Sequence, residues 1–159
     1  HYDPSSKVLR LSDSVYGSTS VAAIGVAAHE CGHAVQHQVG YAPLSIPSAL
    51  VHVANFGSSL SWPIFVAGLI FSIGPLLDIG IILFLAAVLF QVVTLPVEFN
   101  ASARAIRLLD SCGILGQQEI GGTKKVLTAA ALTYVASLAA SILQLLRLLI
   151  LAGGRRRND

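Results

Sequence analysis

Residues 79–97 read IGIILFLAAVLFQVVTLPV, a run without a single acidic or basic side chain. About 20 apolar residues carry a helix across the hydrocarbon core of a bilayer, so this run predicts a transmembrane span. Two further stretches do the same. Residues 126–149 are uncharged up to Arg147, whose long side chain can reach the membrane surface from the end of a helix. Residues 50–73 are long enough but small and polar at the start (LVHVANFGSSLS), and Pro63 falls inside them. Such a helix is expected to face other helices more than lipid, with His52 and Asn55 hydrogen-bonding between helices. Gly74-Pro75 marks the turn into the next span, with Asp78 near the membrane surface.

Composition agrees. Of the 159 residues, 54% are apolar and only 11% charged, and the mean hydropathy is +0.73. Soluble domains average about 25% charged residues, so a soluble enzyme is the class least compatible with this chain. A net charge of +2 from scattered basic residues, with no interleaved aromatics, gives no nucleic-acid footprint. Cys31 and Cys112 form neither a disulfide framework nor a paired-cysteine zinc knuckle, and both read as small apolar fillers. A chain that starts at His1 and lacks methionine is expected to be a fragment whose natural start lies upstream.

The stretch before the spans is polar. Residues 7–11 (KVLRL) predict a short strand after the turn-like Asp3-Pro4-Ser5-Ser6, and residues 12–17 a connection. Ser18, Thr19 and Ser20 are N-cap candidates for a helix running to about Gln38, with Gly40 at the C-cap. A proline-punctuated connection, 41–47, leads to the first span. After the second span, Glu98 opens a further polar helix over about 97–111. Gly113, Gly116, Gly121 and Gly122 predict a loop before the third span. The expectation is an all-α membrane protein, a single domain over 1–159. It has about three transmembrane helices (50–73, 79–97, 126–149), two polar helices at one membrane face, and one short strand.

The chemistry lies in the first polar helix. His29-Glu30-Cys31-Gly32-His33 is an H-E-x-x-H motif. Residues four apart share a helical face, so both imidazoles can reach one zinc ion. Glu30 lies about 100° round the helix, placed to take a proton from a water activated by the metal. The plain alternative is a set of polar residues satisfied inside a bundle, but two histidines and a glutamate beside long apolar spans are costly without a partner. A catalytic zinc usually takes three protein ligands. Apart from Glu30, the chain offers two glutamates for the third position. Glu98 is favoured: two spans separate it from His33, and an even number of crossings returns the chain to the same face. A carboxylate that only stabilises a helix N-terminus would explain Glu98 without metal. Glu119, in GQQEIGG, is the weaker rival.

The chain resembles the neutral zinc metallopeptidases of bacterial membranes, the YugP-like family. The resemblance is carried by HYDP at the start, VLRLSDSVYGSTSVAAIGVAAHECGHAVQH, YAPL, LPVEFNASARAIRLL and ALTYVASLAASILQLLRLL. It covers essentially the whole chain, although such proteins usually have an additional N-terminal span and connecting segment. It implies a multi-pass membrane zinc hydrolase with Glu98 as third ligand in the manner of gluzincins. The wider gluzincin membrane proteases carry E-x-x-x-D after that ligand. Ser102 stands at the Asp position here, so a carboxylate supporting the ligands cannot be carried over. The resemblance supplies no substrate.

Other residues carry weaker signals. His37 continues the 29/33 face and could orient a ligand or bind substrate, although a histidine at a helix C-terminus is commoner. Arg104 and Arg107 could meet an oxyanion or a substrate carboxylate, but solvent or headgroup contacts are the commoner use. Tyr16 could donate to a tetrahedral intermediate, against the commoner role of an interfacial tyrosine.

The expected function is zinc-dependent hydrolysis of peptide bonds, with one Zn2+ per chain. His29, His33 and Glu98 are metal ligands and Glu30 is the catalytic acid–base. The expected partners are the lipid bilayer and a peptide or membrane-protein substrate, and the free edge of the 7–11 strand could pair with that substrate. Six basic residues (Lys7, Arg10, Arg104, Arg107, Lys124, Lys125) on the catalytic face against four on the other tip the positive-inside balance towards a cytoplasmic site in the cell membrane. The rivals are a zinc-stabilised scaffold or chaperone without turnover, and a small transporter subunit.

Overall fold

The computed structural model describes residues 1–41 and 48–156, with side chains described for 1–41 and 56–154. The readings of His52 and Asn55, of residues 42–47 and of the terminal arginine cluster lie outside the described residues or side chains. Among the described residues the protein is mostly helical. A hairpin of β1 (Tyr2–Asp3) and β2 (Val8–Leu9) precedes five helices. These are α1 (Asp13–Tyr16), α2 (Val21–Gln38), α3 (Ser48–Ile70), α4 (Gly74–Ser111) and α5 (Gln117–Arg156). The chain divides into two compact units.

The first unit holds β1 to α2 together with residues 94–111 of α4 and 117–134 of α5. Helix α2 begins and ends where its caps dictate. The Ser20 side chain accepts the Ala23 N–H at 3.2 Å. At the other end Gly40 takes φ +64°, a conformation without penalty only for glycine, and the Tyr41 and Gly40 N–H groups close back onto the Gln36 and His37 carbonyls. The expected strand at 7–11 shortens to β2, which pairs antiparallel with β1 in the register Tyr2↔Leu9, Asp3↔Val8. The intervening turn is tied by the Asp3 carboxylate, which accepts from both serine hydroxyls at 2.6 Å and from Arg10 at 2.9 Å. Those donors hold Asp3 well below the usual carboxylate range. Within the expected connection at 12–17, residues 13–16 form the single helical turn α1. The unit's core is built from Ala28, Ala105, Leu109, Leu115 and Leu127, with Ile24, Ile106 and Ile120 packed around them.

Two expected breaks are absent. Glu98 does not open a helix of its own: α4 runs unbroken from Gly74 to Ser111, through Pro96, so the 79–97 run and the polar 98–111 stretch are one helix. The stretch from 98 on (EFNASARAIRLLDS) is rich in alanine and helix-favouring residues, and a change of polarity along a helix does not require a change of backbone. The glycine-rich segment is also not all loop. Helix α5 starts at Gln117, and the Glu119 carboxylate reaches back to the Gly116 N–H at 2.8 Å, one half of a capping box. Gly121 and Gly122 lie inside α5.

The second unit holds α3 with residues 74–93 of α4 and 135–156 of α5. Its buried cluster is Phe65, Leu77, Leu148 and Ala152. Pro63 lies within α3 without ending it, and Pro75 occupies the first turn of α4, where a missing N–H costs nothing. Among the described residues, two helical stretches are long and apolar enough to cross a membrane, Gly74–Ser111 and Gln117–Gly154, and only 22% and 11% of their apolar windows are covered by protein. A buried core helix would be covered far more completely. The apolar stretch of α3 among the described residues, Phe56–Ile70, is shorter.

Candidate metal centre

The centre lies wholly in the first unit, where α2 and α4 approach closely. A Cβ on Gly32 would lie 2.4 Å from the Ala101 carbonyl oxygen, so only glycine admits this separation. The small pair Ala28 and Ala105, both buried, continues the contact. This proximity sets Glu98 of α4 against His29 and His33 of α2. His29 Nε2 lies 3.2 Å from Glu98 Oε2, His33 Nε2 lies 3.7 Å from it, and the two Nε2 atoms are 3.1 Å apart. The rings meet edge to face.

The donor set fits a zinc ion. Each of the three atoms can offer a lone pair, and all lie within 4.8 Å of one another. Ligand bonds of about 2.0–2.1 Å in a tetrahedron put ligand atoms roughly 3.3–3.5 Å apart, and the 3.1, 3.2 and 3.7 Å found here bracket that spacing. All three side chains are partly buried, at 15%, 15% and 20% exposure, which limits competition from water. Burial works against charge on His33, but Glu98 beside it, Gln36 and the Glu30 charge outweigh that and raise its pKa above the ordinary 6.5.

Glu30 borders the same cleft, about 470 Å³ in volume, with Tyr2, Pro4, Val26, Ala130, Ala131 and Tyr134 among the other lining residues. The Tyr2 backbone N–H donates to Glu30 Oε2 at 2.7 Å. That N–H is free because Tyr2 and Leu9 are partners without mutual hydrogen bonds; the ladder bond runs from the Arg10 N–H to the His1 carbonyl. The first hairpin strand, rather than the whole 7–11 stretch, therefore borders this cleft.

The other sequence candidates separate from the cluster. Glu119 is occupied in capping α5. His37 meets the Tyr2 hydroxyl at 2.7 Å and lies outside the three-residue group. Arg104 donates to Asn100 and Arg107 to the Ala103 carbonyl; neither lines the cleft. Tyr16 is 83% exposed and lines a different cavity. Burial, then the Glu30 charge, push the Cys31 thiol up, away from the thiolate a metal would need.

Two residues at the centre, Gln36 and Tyr134, were not singled out from the sequence, and a third, Ser102, was noted only as standing where an aspartate was absent. Ser102 Oγ lies 3.0 Å from His29 Nδ1, so the position where an aspartate was missed carries a neutral hydroxyl that meets the ring instead. Gln36 Oε1 lies 2.9 Å from His33 Nδ1. Tyr134, the one phenol in the expected third span, faces the cleft with Leu127, Ala130 and Ala131. The available signals were a polar residue three after His33 on a buried face, and a tyrosine inside an apolar run.

Comparison with known proteins follows the same residues. The profile of a family described as "Putative neutral zinc metallopeptidase" matches residues 1–153. "Putative membrane protease YugP" of Bacillus subtilis (strain 168) is 48% identical over 159 residues, covering 99% of this chain and 71% of the relative. No solved structure matches.

Proposed function

Because the chain belongs to the neutral zinc metallopeptidase family, we propose that it is a membrane-embedded peptidase. His29, His33 and Glu98 hold one zinc ion, and Glu30 is the catalytic acid–base. The observation that carries this reading is the convergence of two imidazole nitrogens and a carboxylate oxygen, 3.1–3.7 Å apart, beside a second carboxylate in one cleft.

Zinc supplies Lewis acidity, polarising a carbonyl and lowering the pKa of water to about 7. The protein's own residues do the rest. Glu30 accepts the proton of the attacking water and delivers it to the departing amine, which balances the hydrolysis of one amide bond. The Tyr2 N–H holds one Glu30 oxygen in place. Tyr134 brings a phenolic hydroxyl to the cleft, a donor for the charge that develops on the scissile carbonyl oxygen.

The two long apolar helices and the relative's name support a multi-pass location in the cell membrane, with membrane-bound or misfolded chains as substrates. The positive-inside balance favours a cytoplasmic catalytic face.

The test is cleavage of an unfolded reporter protein by detergent-purified wild type beside Glu30→Gln. The reading expects turnover in wild type and a loss of at least about 10³-fold in the variant with zinc retained. Equal cleavage by both would contradict it. Zinc retained with no turnover by either would favour the scaffold.

A further inference from the structure

Gln36 is the largest fully buried polar side chain among the described residues, with 0% exposure, and it lies in a hydrogen-bonded chain whose polarity is fixed at both ends. Its Nε2 contacts the Val97 carbonyl oxygen at 2.9 Å and Asn100 Oδ1 at 3.0 Å. A backbone carbonyl can only accept, so the Gln36 atom facing it must be the NH2 group. Asn100 Oδ1 also receives the Arg104 Nε–H at 2.8 Å, and a guanidinium can only donate, so the Asn100 atom at this junction must be its oxygen. Both ends demand the same orientation of the Gln36 amide. Its remaining atom, Oε1, accepts only, and it faces His33 Nδ1 at 2.9 Å. The ring nitrogen there must therefore carry a hydrogen.

We infer that Gln36, locked by Val97, Asn100 and Arg104, is a positioning residue that holds neutral His33 in the Nδ1–H tautomer, so that its Nε2 presents a lone pair to the Glu98 side of the cleft. This rests on the reading of His33 as a metal ligand and adds how that ligand is prepared. The geometry gives the device a reason. A neutral imidazole has one N–H, and without Gln36 it could place that hydrogen on Nε2, which faces His29 Nε2 at 3.1 Å and Glu98 Oε2 at 3.7 Å, and so lose the lone pair a metal needs. An amide oxygen at Nδ1 removes that option without adding a second buried negative charge beside Glu98. His29 differs: its Nδ1 meets the Ser102 hydroxyl, which can donate or accept and so imposes no tautomer. The two ligand rings are thus supported unequally, one fixed and one free to adapt.

The experiment has two readouts on the metal-free and zinc-titrated protein. The first is the ¹⁵N spectrum of the imidazoles in metal-free wild type at about pH 9, where histidines are neutral; it reports the tautomer directly and needs no variant. The second is zinc affinity by chelator competition for wild type and Gln36→Met. The inference expects the Nδ1–H form of His33 in wild type and affinity lower by about 10- to 100-fold in Gln36→Met, the usual effect of losing a group that orients a ligand. An Nε2–H His33 in wild type, or unchanged affinity in the variant, would overturn it. If Gln36→Met does not fold, the wild-type tautomer still decides. A wild type that shows the Nδ1–H form yet binds no zinc would refute the metal reading and leave the hold of Gln36 on the ring intact.

Discussion

At the scale of single residues, each proposed ligand ring leans on a different kind of group, and the consequences can be measured separately. Ser102→Ala removes the hydroxyl at His29 Nδ1 and is expected to weaken zinc binding by about tenfold while the fold persists, as read by chelator competition and circular dichroism. The pH dependence follows from His33. Its pKa is raised, so as pH falls protons compete for its metal-facing nitrogen earlier than they would for an ordinary histidine. Apparent zinc affinity should therefore fall progressively as the pH is lowered. In the metal-free protein the sign is that of a base stabilised by a partner. The His33–Glu98 attraction contributes fully below the ordinary histidine pKa and is lost as pH rises through the raised one. An apparent zinc affinity that does not change on acidification would contradict this assignment.

At the scale of elements, the two glutamates that competed for the third ligand position now make opposite predictions. Glu98→Ala should abolish zinc binding. Glu119→Ala should lower stability by about 0.5–1 kcal/mol, through loss of the α5 cap, and leave zinc binding unchanged. Thermal unfolding and metal content on the two variants check this. Gly32→Ala tests the approach of α2 to α4: its Cβ would meet the Ala101 backbone carbonyl, which cannot rotate away. A stability loss of about 1–3 kcal/mol together with weakened zinc is expected. The sequence made α2 fully legible, because a serine cap, a glycine C′ residue and a four-residue histidine spacing are all local. The continuity of α4 and the early start of α5 were not legible. Glu98 and Gly121-Gly122 look like punctuation when polarity alone is read, whereas alanine-rich helix propensity and the Glu119 cap decide the backbone. The contacts of Gln36 and Ser102 stayed hidden for another reason. Their partners lie 61–73 positions away in the chain, and no spacing rule reports on which atom of a distant helix a side chain will meet.

At the scale of the whole molecule, one chain combines long, largely uncovered apolar helices with a small polar cluster. The apolar windows of α4 and α5 leave Ile82, Leu89, Leu143 and Ile150 bare, which water would penalise and lipid would not. The protein should stay with membranes through high-salt washing and leave them only in detergent; release by salt alone would contradict the membrane reading. The chain's legible part at this scale was its apolar content. Which spans double as walls of the cleft was not, since Leu127, Ala131 and Tyr134 look like any other residues of an apolar run. The most direct test of the central claim is the metal content, by mass spectrometry, of the detergent-purified protein beside His33→Ala. The account predicts about one zinc per wild-type chain and essentially none in the variant. Wild type that holds no zinc after reconstitution at neutral pH, or a variant that retains it fully, would contradict the metal centre itself.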